Sequence, residues 1–524
     1  MPASKSSKSS RTSKRPAARR PARREIASAA AGIPWKVLLF LVTISSLAVS
    51  YFWRQGCLLW WGDASAHLNN ARKLLDGRNA GYEQLGTVWL PLPHLLMMPF
   101  AAVDSLWRSG LAGAIPSSLC FVAAGLLLFL IARHCYDSEH AAWTGVLLFA
   151  LNPNMLYMQS LAMTEAIFVS AVLLALYASL KERPWLAGLA LLAATMTRYE
   201  GWILIPAVVL YFFWRDRRAG FIVGLIASIG PVYWLGHNYY YYGDPLEFYR
   251  GVGSAKWIYE QGLAKGYGPA PTEGHPLVAA HYYATASRLF TGIPILVLAG
   301  LGLFAVAARK AWWPIAFLAI GPLFFVWSMQ GSGAEIHVPT LPPHGYYNTR
   351  YGMIALPLAA LAVAAIPSVL PNGSRRWVTI LLVAISIIPW LAYPKMENWI
   401  TWKESQVNSD ARRAWTREAA DYLRERYVTG RGIVAHFGDQ TAIFREAGIP
   451  LRQVVHDGDG LYFQGIVLRP EVFLWQEWVV SIEGDPLSGG MRVYTSKNPR
   501  YRRVKLVEAK GAPSIEIWQR VATH

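Results

Sequence analysis

The 524-residue sequence contains few cysteines and few charged residues. Its three cysteines, Cys57, Cys120 and Cys135, are too few and too scattered for a disulfide framework or a zinc ribbon. Charged residues make up 16% of the chain, whereas soluble domains carry about 25%. Hydrophobic residues make up 54%. This composition excludes a disordered chain, a collagen-like repeat and a disulfide-stabilised scaffold.

Acidic residues are also scarce, with 32 Asp and Glu against 50 Lys and Arg, which gives a net charge of +18. The first 24 residues hold nine Lys or Arg and no acid. We predict that residues 1–34 form a disordered basic tail in the cytoplasm. The apolar run that follows is long enough to span and lacks a cleavage pattern, so the tail is not a cleaved signal.

Long apolar runs are abundant, and they exclude the nucleic-acid ligand that a basic chain would otherwise suggest. They approach the roughly 20 residues that a spanning helix needs. The sequence predicts an α-helical polytopic membrane protein with about 11 transmembrane helices. The eleven runs are residues 35–53, 111–133, 141–157, 163–180, 185–197, 202–214, 219–236, 289–308, 312–329, 351–366 and 377–393.

The positive-inside rule orients these helices. With the basic tail in the cytoplasm, the connections at residues 133–140, 181–184, 215–218, 309–310 and 373–376 also face inward, and each contains Lys or Arg. Residues 90–103 are short and interrupted by three prolines, so we predict an interfacial or re-entrant helix there rather than a span. The expected location is a bacterial cell membrane, with residues 55–110, 238–288 and 330–350 outside the cytoplasm.

The composition changes after the last apolar run. Arg, Glu, Asp and Gly return in residues 394–524, and no run there is long enough to span. Residues 409–427 show the spacing of an amphipathic helix, and residues 432–437, 477–482, 503–508 and 514–519 are typical of short strands. We therefore predict a polytopic domain over residues 35–393 and a small extracytoplasmic α/β domain over residues 394–524.

Charged side chains at membrane depth are costly and mark functional sites. Asp63 follows a pair of tryptophans at the start of a predicted helix, with His67 one turn further on the same face. Asp63 could cap that helix, or it could be an acid held at the membrane surface. The two roles are compatible.

Two further segments combine charge with apolar surroundings. Glu165 follows Thr164 at the outer end of an apolar helix, where it suits the helix dipole or could serve a site. Arg198 and Glu200 form a charged break between two apolar runs. They could pair with each other in a plain loop, or they could belong to a site.

The segment before the tenth apolar run holds the remaining candidates. Arg350 and Tyr351 could anchor a helix at the interface, or Arg350 could present its guanidinium to a phosphate. Glu335 and His337, with His344 nearby, are weak candidates for a divalent metal site, because their spacing is not that of tight ligands. No metal or other cofactor is required by the sequence.

In the predicted topology six charged residues lie at the outer face: Asp63, Glu165, Arg198, Glu200, Glu335 and Arg350. A transporter would place some of its charges near the bilayer midplane on discontinuous helices. Charges gathered on one side indicate a site rather than a conduction path.

The order of these motifs resembles glycosyltransferase superfamily C, which uses polyprenyl-phosphate-linked sugars. The resemblance is strongest to the branch with protein O-mannosyltransferases and lipid A aminoarabinose transferases, and it covers roughly residues 35–394. The family often has a second acid after the first, and Ala64 stands there in this chain. The motifs are Gly62-Asp63, Ala71-Arg72, Gly77, the prolines of residues 91–99, Glu165, Thr197 to Trp202, and Arg350-Tyr351 before a proline-bearing helix.

The resemblance implies transfer of a sugar to an acceptor hydroxyl on the outer face, with inversion. Asp63 would be the general base, and Arg350 or Arg198 would neutralise the leaving phosphate. Glu165 would be a second catalytic residue. The remaining substrate-binding candidates are Tyr351, Glu200 and His67.

The implied partners are a polyprenyl-phosphate sugar, membrane lipids and a glycan, lipid or protein acceptor, with no nucleic acid. The sequence leaves the sugar and the acceptor open. A transporter or lipid flippase, a structural or sensing protein, and an enzyme like the O-antigen ligases are the alternatives. The last would use a pyrophosphate carrier and a large late outer loop, whereas residues 330–350 are short.

Overall fold

The computed structural model describes residues 34–331, 335–392, 396–498 and 500–521. The predicted basic tail lies outside these ranges, apart from Pro34. The first helix, α1 (Trp35–Arg54), matches the first predicted span. It is followed by three shorter helices in the predicted outer segment: α2 (Gly62–Asp76), α3 (Leu92–Ala101) and α4 (Asp104–Ser109).

Helix α2 begins after Trp61, which is the N-cap residue, and no side chain caps it. The interpretation of Asp63 as a cap is therefore wrong: Asp63 lies inside the first turn, and its carboxylate bonds Arg350 instead. Helix α3 has only ten residues and contains Pro99. At 1.5 Å per residue it extends about 15 Å, half the thickness of the hydrocarbon core. This length agrees with the predicted interfacial or re-entrant helix.

Seven apolar or partly apolar helices follow: α5 (Leu111–Tyr136), α6 (Glu139–Ala150), α7 (Pro153–Met158), α8 (Glu165–Leu180), α9 (Pro184–Thr195), α10 (Leu204–Phe213) and α11 (Arg217–Tyr242). The predicted run over residues 141–157 is divided between α6 and α7. Asn152 caps α7 by accepting a hydrogen bond from the Met155 N–H, and Pro153 takes the first helical position. An Asn-Pro pair starts a new helix rather than continuing the old one.

The next group is α12 (Glu247–Arg250), α13 (Ala255–Ala264), α14 (Pro276–Thr291), α15 (Ile293–Arg309), α16 (Trp312–Gln330), α17 (Ala355–Ala364) and α18 (Asn372–Ala392). Helices α14 and α15 meet at an angle of 108°. Gly292 between them has a φ of +93°, a conformation that glycine adopts without steric cost. A 3₁₀ turn, Thr349–Ile354, leads into α17.

Six of the described helices are long and apolar enough to cross a membrane, or seven if the bent pair α14–α15 is one span. Helices α8, α9 and α10 are apolar but shorter. Each of the eleven predicted runs contains a helix, and the predicted polytopic helical fold class is confirmed. That all eleven cross the membrane stays a prediction. The six are Trp35–Arg54, Leu111–Tyr136, Arg217–Tyr242, Trp312–Gln330, Thr349–Val369 and Asn372–Ala392.

The C-terminal part contains a mixed five-stranded sheet with the order β2-β1-β3-β5-β4. Strand β1 pairs in parallel with β2 and β3, whereas β5 pairs antiparallel with β3 and β4. The four predicted strands are present, and β2 was missed because it has only two residues. The elements are α19 (Ile400–Val407), α20 (Asp410–Arg426), β1 (Ile433–Ala435), α21 (Thr441–Ala447), β2 (Val454–Val455), α22 (Leu461–Leu468), α23 (Pro470–Phe473), β3 (Trp478–Ile482), α24 (Pro486–Lys497), β4 (Tyr501–Val507) and β5 (Ile515–Arg520).

The C-terminal part packs directly on helix α2. Arg452 Nη1 donates to Asp76 Oδ1 at 2.6 Å, and Arg445 Nη1 donates to Ser65 Oγ at 2.8 Å. Buried residues of α20 and β1 belong to the same hydrophobic core as those of α1, α5 and α8. The position of α2 is therefore set by both parts of the chain.

Candidate active site

Glu165 occupies the first position of α8 and is almost completely buried, with 2% of its side chain exposed. Its Oε1 accepts hydrogen bonds from Arg198 Nη1 and from Arg350 Nε, both at 3.0 Å. Its Oε2 is buried and has no hydrogen-bond partner among the described residues. The negative charge at a helix N-terminus is favoured by the helix dipole, and two guanidiniums compensate for its burial.

Arg198 connects two acids. Its Nη2 donates to Glu200 Oε1 at 2.6 Å, so the predicted local ion pair is present. Its Nη1 donates to Thr164 Oγ1 at 3.0 Å as well as to Glu165. The short turn Tyr199–Gly201 is thereby tied to the start of α8, and Arg198 and Glu200 are more than a plain loop pair.

Arg350 lies in the 3₁₀ turn before α17 and connects Glu165 to Asp63. Its Nη2 donates to Asp63 Oδ2 at 2.6 Å, and its Nη1 makes no hydrogen bond within the described ranges. The rings of Trp61 and Tyr351 lie 4.8 and 5.1 Å from the guanidinium, a distance at which cation–π attraction operates. An interfacial anchor would be exposed, whereas the Arg350 side chain is 8% exposed.

Five predicted site residues thus form one continuous ion-pair chain: Asp63, Arg350, Glu165, Arg198 and Glu200. This ion-pair chain contains three carboxylates and two guanidiniums. Four of its side chains are buried or nearly so, but Asp63 is 40% exposed. A ligand that enters from solvent would therefore first contact the ion-pair chain at Asp63.

Asp63 is ionised at neutral pH. Burial acts to raise the pKa of its carboxyl group, but the guanidinium of Arg350 and then the ring of His67 outweigh burial and lower the pKa from its usual value. A carboxylate with a lowered pKa accepts protons weakly while its partner remains bound. The strength of Asp63 as a base therefore depends on what Arg350 contacts.

His67 lies one turn after Asp63 but does not face open space. Its Nδ1 is 2.9 Å from Nε2 of His94, and its ring centroid is 4.2 Å from that of Trp89. Burial lowers the pKa of His67 to about 4, against the opposing effect of Asp63. His67 is consequently neutral at physiological pH and supports α2 from inside the protein.

Glu335 and His337 do not join the ion-pair chain. His337 Nε2 lies 3.2 Å from Glu335 Oε2, and the backbone of His337 pairs with that of Tyr347. Within the described ranges no three His, Cys, Asp or Glu side chains are grouped to hold a metal ion. His344 Nδ1 lies 3.2 Å from the Pro339 carbonyl oxygen rather than joining these two.

Glu404 on α19 is a buried acid that the sequence did not single out. Its Oε1 accepts from the Asn348 N–H at 2.7 Å, and its Oε2 accepts from the Thr349 N–H at 3.0 Å and from the Thr349 hydroxyl. Burial raises its pKa to about 7, against the effect of these donors and of Arg350. Glu404 holds the backbone just before Arg350, and no spacing in the sequence relates two segments so far apart.

A small apolar cleft of about 30 Å³ opens beside the other end of the ion-pair chain, at Glu200. It lies between α8, α10, α16 and α17. Its lining is hydrophobic apart from Glu200, so it favours an apolar group over a polar one. The other lining residues are Phe168, Val169, Val172, Leu173, Leu204, Phe317, Leu318, Gly321, Ile354 and Pro357.

Comparison with protein families gives a match to part of the chain. Residues 95–232 match the family described as dolichyl-phosphate-mannose-protein mannosyltransferase. The matched stretch is about a quarter of the chain; it contains Glu165, Arg198 and Glu200 but not Asp63 or Arg350. No match is found among curated protein sequences.

Two solved structures of ArnT from Cupriavidus metallidurans are similar to the whole chain. The crystal structure bound to undecaprenyl phosphate has a TM-score of 0.57 and 13% identity, and covers 94% of this chain and 99% of that chain. The crystal structure in the apo state has a TM-score of 0.51 and 13% identity, with coverages of 92% and 98%. These findings confirm the predicted fold class and the resemblance stated above.

Proposed function

We propose that this protein is a membrane glycosyltransferase that moves a sugar from a polyprenyl-phosphate donor to an acceptor hydroxyl on the extracytoplasmic face. One observation carries the proposal: the exposed carboxylate of Asp63 lies 2.6 Å from the buried guanidinium of Arg350. This pair combines a proton acceptor with a phosphate-binding group at the open end of the ion-pair chain. The likeness to a fold seen with undecaprenyl phosphate supports the same class of donor.

The donor lipid would use both ends of the ion-pair chain. The hydrophobic side chains around the small cleft at Glu200 would pack against part of the polyprenyl chain. The phosphate would bind Arg350, whose planar guanidinium matches the geometry of phosphate oxygens. Nucleotide sugars are not supplied outside the cytoplasmic membrane, so a transferase that faces outward needs a lipid-linked donor.

The transfer would be a single displacement that inverts the anomeric centre. The acceptor oxygen forms a bond to the anomeric carbon as the bond from that carbon to the phosphate oxygen breaks. Asp63 takes the proton of the acceptor hydroxyl, and Arg350 stabilises the charge on the departing polyprenyl phosphate. A donor phosphate that binds Arg350 also weakens its contact with Asp63. The pKa of Asp63 then rises, which makes it a stronger base when the donor is present.

The remaining members of the ion-pair chain would position these two groups. Glu165 holds Arg350 through Nε, while Nη2 donates to Asp63. Arg198 and Glu200 in turn fix Glu165. Tyr351 lies against the guanidiniums of both Arg350 and Arg198. A glycan, a lipid or a protein side chain could supply the acceptor hydroxyl.

The experiment that tests this function incubates the purified protein with a panel of polyprenyl-phosphate sugars. We expect one donor to be consumed and polyprenyl phosphate to be released. Movement of an unaltered lipid across a vesicle membrane would instead favour a transporter or flippase.

Activity that survives a metal chelator would remove Glu335 and His337 as candidate metal ligands.

Asp63→Asn tests the proton-transfer step. We expect this variant to lose transfer while it still binds the donor lipid, because Arg350 remains in place. Asp244→Asn is a matched control, since Asp244 also forms a close ion pair with an arginine but lies away from the ion-pair chain. Full activity of Asp63→Asn would show that Asp63 is not the base.

A further inference from the structure

A second cleft, of about 400 Å³, lies between α2 and the C-terminal part. The end of α1, the chain after it, helix α4 and helices α20 and α21 form its walls. Five arginines line it, with Glu446 as the single acid among the lining residues. The arginines are Arg108, Arg412, Arg413, Arg417 and Arg445.

Two of these arginines form no close ion pair within the described residues, although Glu446 attracts both at longer range. Within the described residues no carboxylate oxygen lies within 4.0 Å of the guanidinium of Arg417 or Arg445, whereas Arg108, Arg412 and Arg413 each pair with an aspartate. Arg417 is exposed to the cleft. The positive charge of the lining is therefore only partly neutralised by the protein.

Arg445 is the more unusual of the two, because it is 4% exposed. Its Nη1 donates to two neutral acceptors, Ser65 Oγ at 2.8 Å and Asn69 Oδ1 at 3.5 Å. Burial lowers its pKa to about 10. Glu446 opposes this shift only in part. Burying an incompletely compensated cation is costly, and an anion in the cleft would reduce that cost.

The cleft does not belong to the candidate active site. Ser65 lines the cleft, and Asp63 precedes it by two residues on α2. At 3.6 residues per turn, two residues rotate the side-chain direction by about 200°. Asp63 and Ser65 consequently project from opposite faces of α2, and a ligand in the cleft would not contact the reacting groups.

One wall of the cleft is apolar and adjoins a candidate membrane span. Trp53 lies near the end of α1, and Leu58, Leu59 and Trp60 follow it. Arg413 lies over the ring of Trp60 at 4.2 Å. Tryptophan at the end of a spanning helix is typical of the membrane surface. The cleft therefore combines an apolar side with a strongly basic side at the depth of lipid headgroups.

We infer that this arginine-lined cleft binds a phosphate group. The bound phosphate would link α2 to the C-terminal helices α20 and α21. Guanidinium groups recognise phosphate through paired N–H donors. The phosphate could come from an anionic phospholipid headgroup or from free phosphate. The inference does not depend on the proposed glycosyl transfer, because neither Asp63 nor Arg350 takes part.

Binding to the full chain, purified in neutral detergent and stripped of lipid, tests this inference. The probes are phosphatidylglycerol, phosphatidylcholine and inorganic phosphate, with binding followed by native mass spectrometry and by the melting temperature. We expect phosphatidylglycerol to bind and raise the melting temperature more than phosphatidylcholine does. An equal effect of inorganic phosphate would assign the site to free phosphate. Failure of every phosphate probe to bind would overturn the inference.

Arg417→Gln identifies the binding site without disturbing the buried contacts of Arg445. We expect the dissociation constant of this variant for the phosphate probe to rise about tenfold, because the variant lacks one charged hydrogen bond. Arg426→Gln is the matched control, because Arg426 lies on the same helix outside the cleft. Asp63→Asn should keep the binding even if it abolishes sugar transfer. Equal losses in Arg417→Gln and Arg426→Gln would contradict the inference.

Discussion

Asp63, Arg350 and Glu165 differ in how much water reaches each side chain. Asp63 is 40% exposed, whereas Arg350 and Glu165 are almost completely buried. Charges removed from water must be compensated by opposite charges and hydrogen bonds. Glu165 meets this condition by sharing one carboxylate oxygen between two guanidiniums. The buried members therefore depend on one another, and Asp63 is the member that a ligand can displace.

Glu165→Gln tests that dependence. The substitution removes the charge that Arg198 and Arg350 share, so two buried guanidiniums lose a partner. We expect a loss of about 3–5 kcal/mol in the free energy of unfolding and a loss of sugar transfer. The melting temperature of the purified protein and donor consumption measure the two effects.

Glu139→Gln is the control for this substitution. Glu139 occupies the first position of α6, as Glu165 does in α8, but its side chain is exposed. Any effect on the helix dipole is thus matched between the two variants. Similar melting temperatures for both variants would show that Glu165 is not an essential partner of the arginines.

Glu404 gives the protein a predictable pH dependence. Its pKa is raised from 4.5 in the unfolded chain to about 7 in the fold, mainly by burial. Between these values the folded state holds a proton that the unfolded state has lost. The contribution of Glu404 to stability is therefore complete below about pH 4.5 and falls by up to about 1.4 kcal/mol per unit as the pH rises to about 7.

Glu404→Gln should remove this dependence, because glutamine has a similar shape and does not titrate. The measurement compares the melting temperatures of the two proteins between about pH 4.5 and about pH 8. We expect the original protein to lose stability relative to the variant as the pH rises towards 7, with no further relative change above it. Parallel curves would mean that Glu404 is ionised throughout this range.

At the scale of elements, the apolar runs predicted the helices well because burial in a membrane or a core needs long apolar segments. The breaks were harder to predict. Asn152 ends one predicted run and Gly292 bends another, and each is a single residue inside an apolar stretch. The cap assigned to Asp63 was wrong because an ion pair with Arg350, 287 residues away, outweighs a local hydrogen bond.

The turn that carries Arg350 packs tightly against α14. A Cβ atom added to Gly352 would lie 2.5 Å from the carbonyl oxygen of Ala286, which is backbone and cannot turn aside. Gly352→Ala should therefore push the turn away from α14, at a cost of about 1–3 kcal/mol. A displacement of about 1 Å at Arg350 would lower the rate of sugar transfer about a hundredfold.

Gly300→Ala is the control for the Gly352 substitution. Gly300 lies inside the neighbouring helix α15, and nothing lies within 4 Å of its added Cβ. Donor consumption by the two variants, with the melting temperature of each, separates displacement of the turn from a general loss of stability. Normal transfer by Gly352→Ala would show that the turn tolerates the shift.

The whole molecule assembles the candidate site from five separated segments: α2, the start of α8, the turn after α9, the turn before α17, and α19. Sequence patterns predicted the charged residue in four of these segments, because a charge beside an apolar run is conspicuous. Glu404 was not predicted. It lies in the C-terminal part, where charged residues are common and a single acid does not stand out as a site residue. The pairing of each acid with its arginine is set by tertiary packing. It therefore cannot be predicted from the spacing of residues along the sequence.

The attachment of the C-terminal part to α2 should depend strongly on Asp76. This side chain is 5% exposed and accepts hydrogen bonds from Arg72 Nε at 3.0 Å, from Arg452 Nη1 at 2.6 Å and from the Leu451 N–H at 3.3 Å. Asp76→Asn would leave the buried Arg72 poorly compensated, at a cost of about 3 kcal/mol. We expect a lower melting temperature and faster protease cleavage after residue 396. Asp421→Asn is the control, because it alters an exposed ion pair on α20. This control should change neither the melting temperature nor the rate of cleavage. Unchanged cleavage in Asp76→Asn would mean that the hydrophobic core shared by the two parts holds them together without this polar contact.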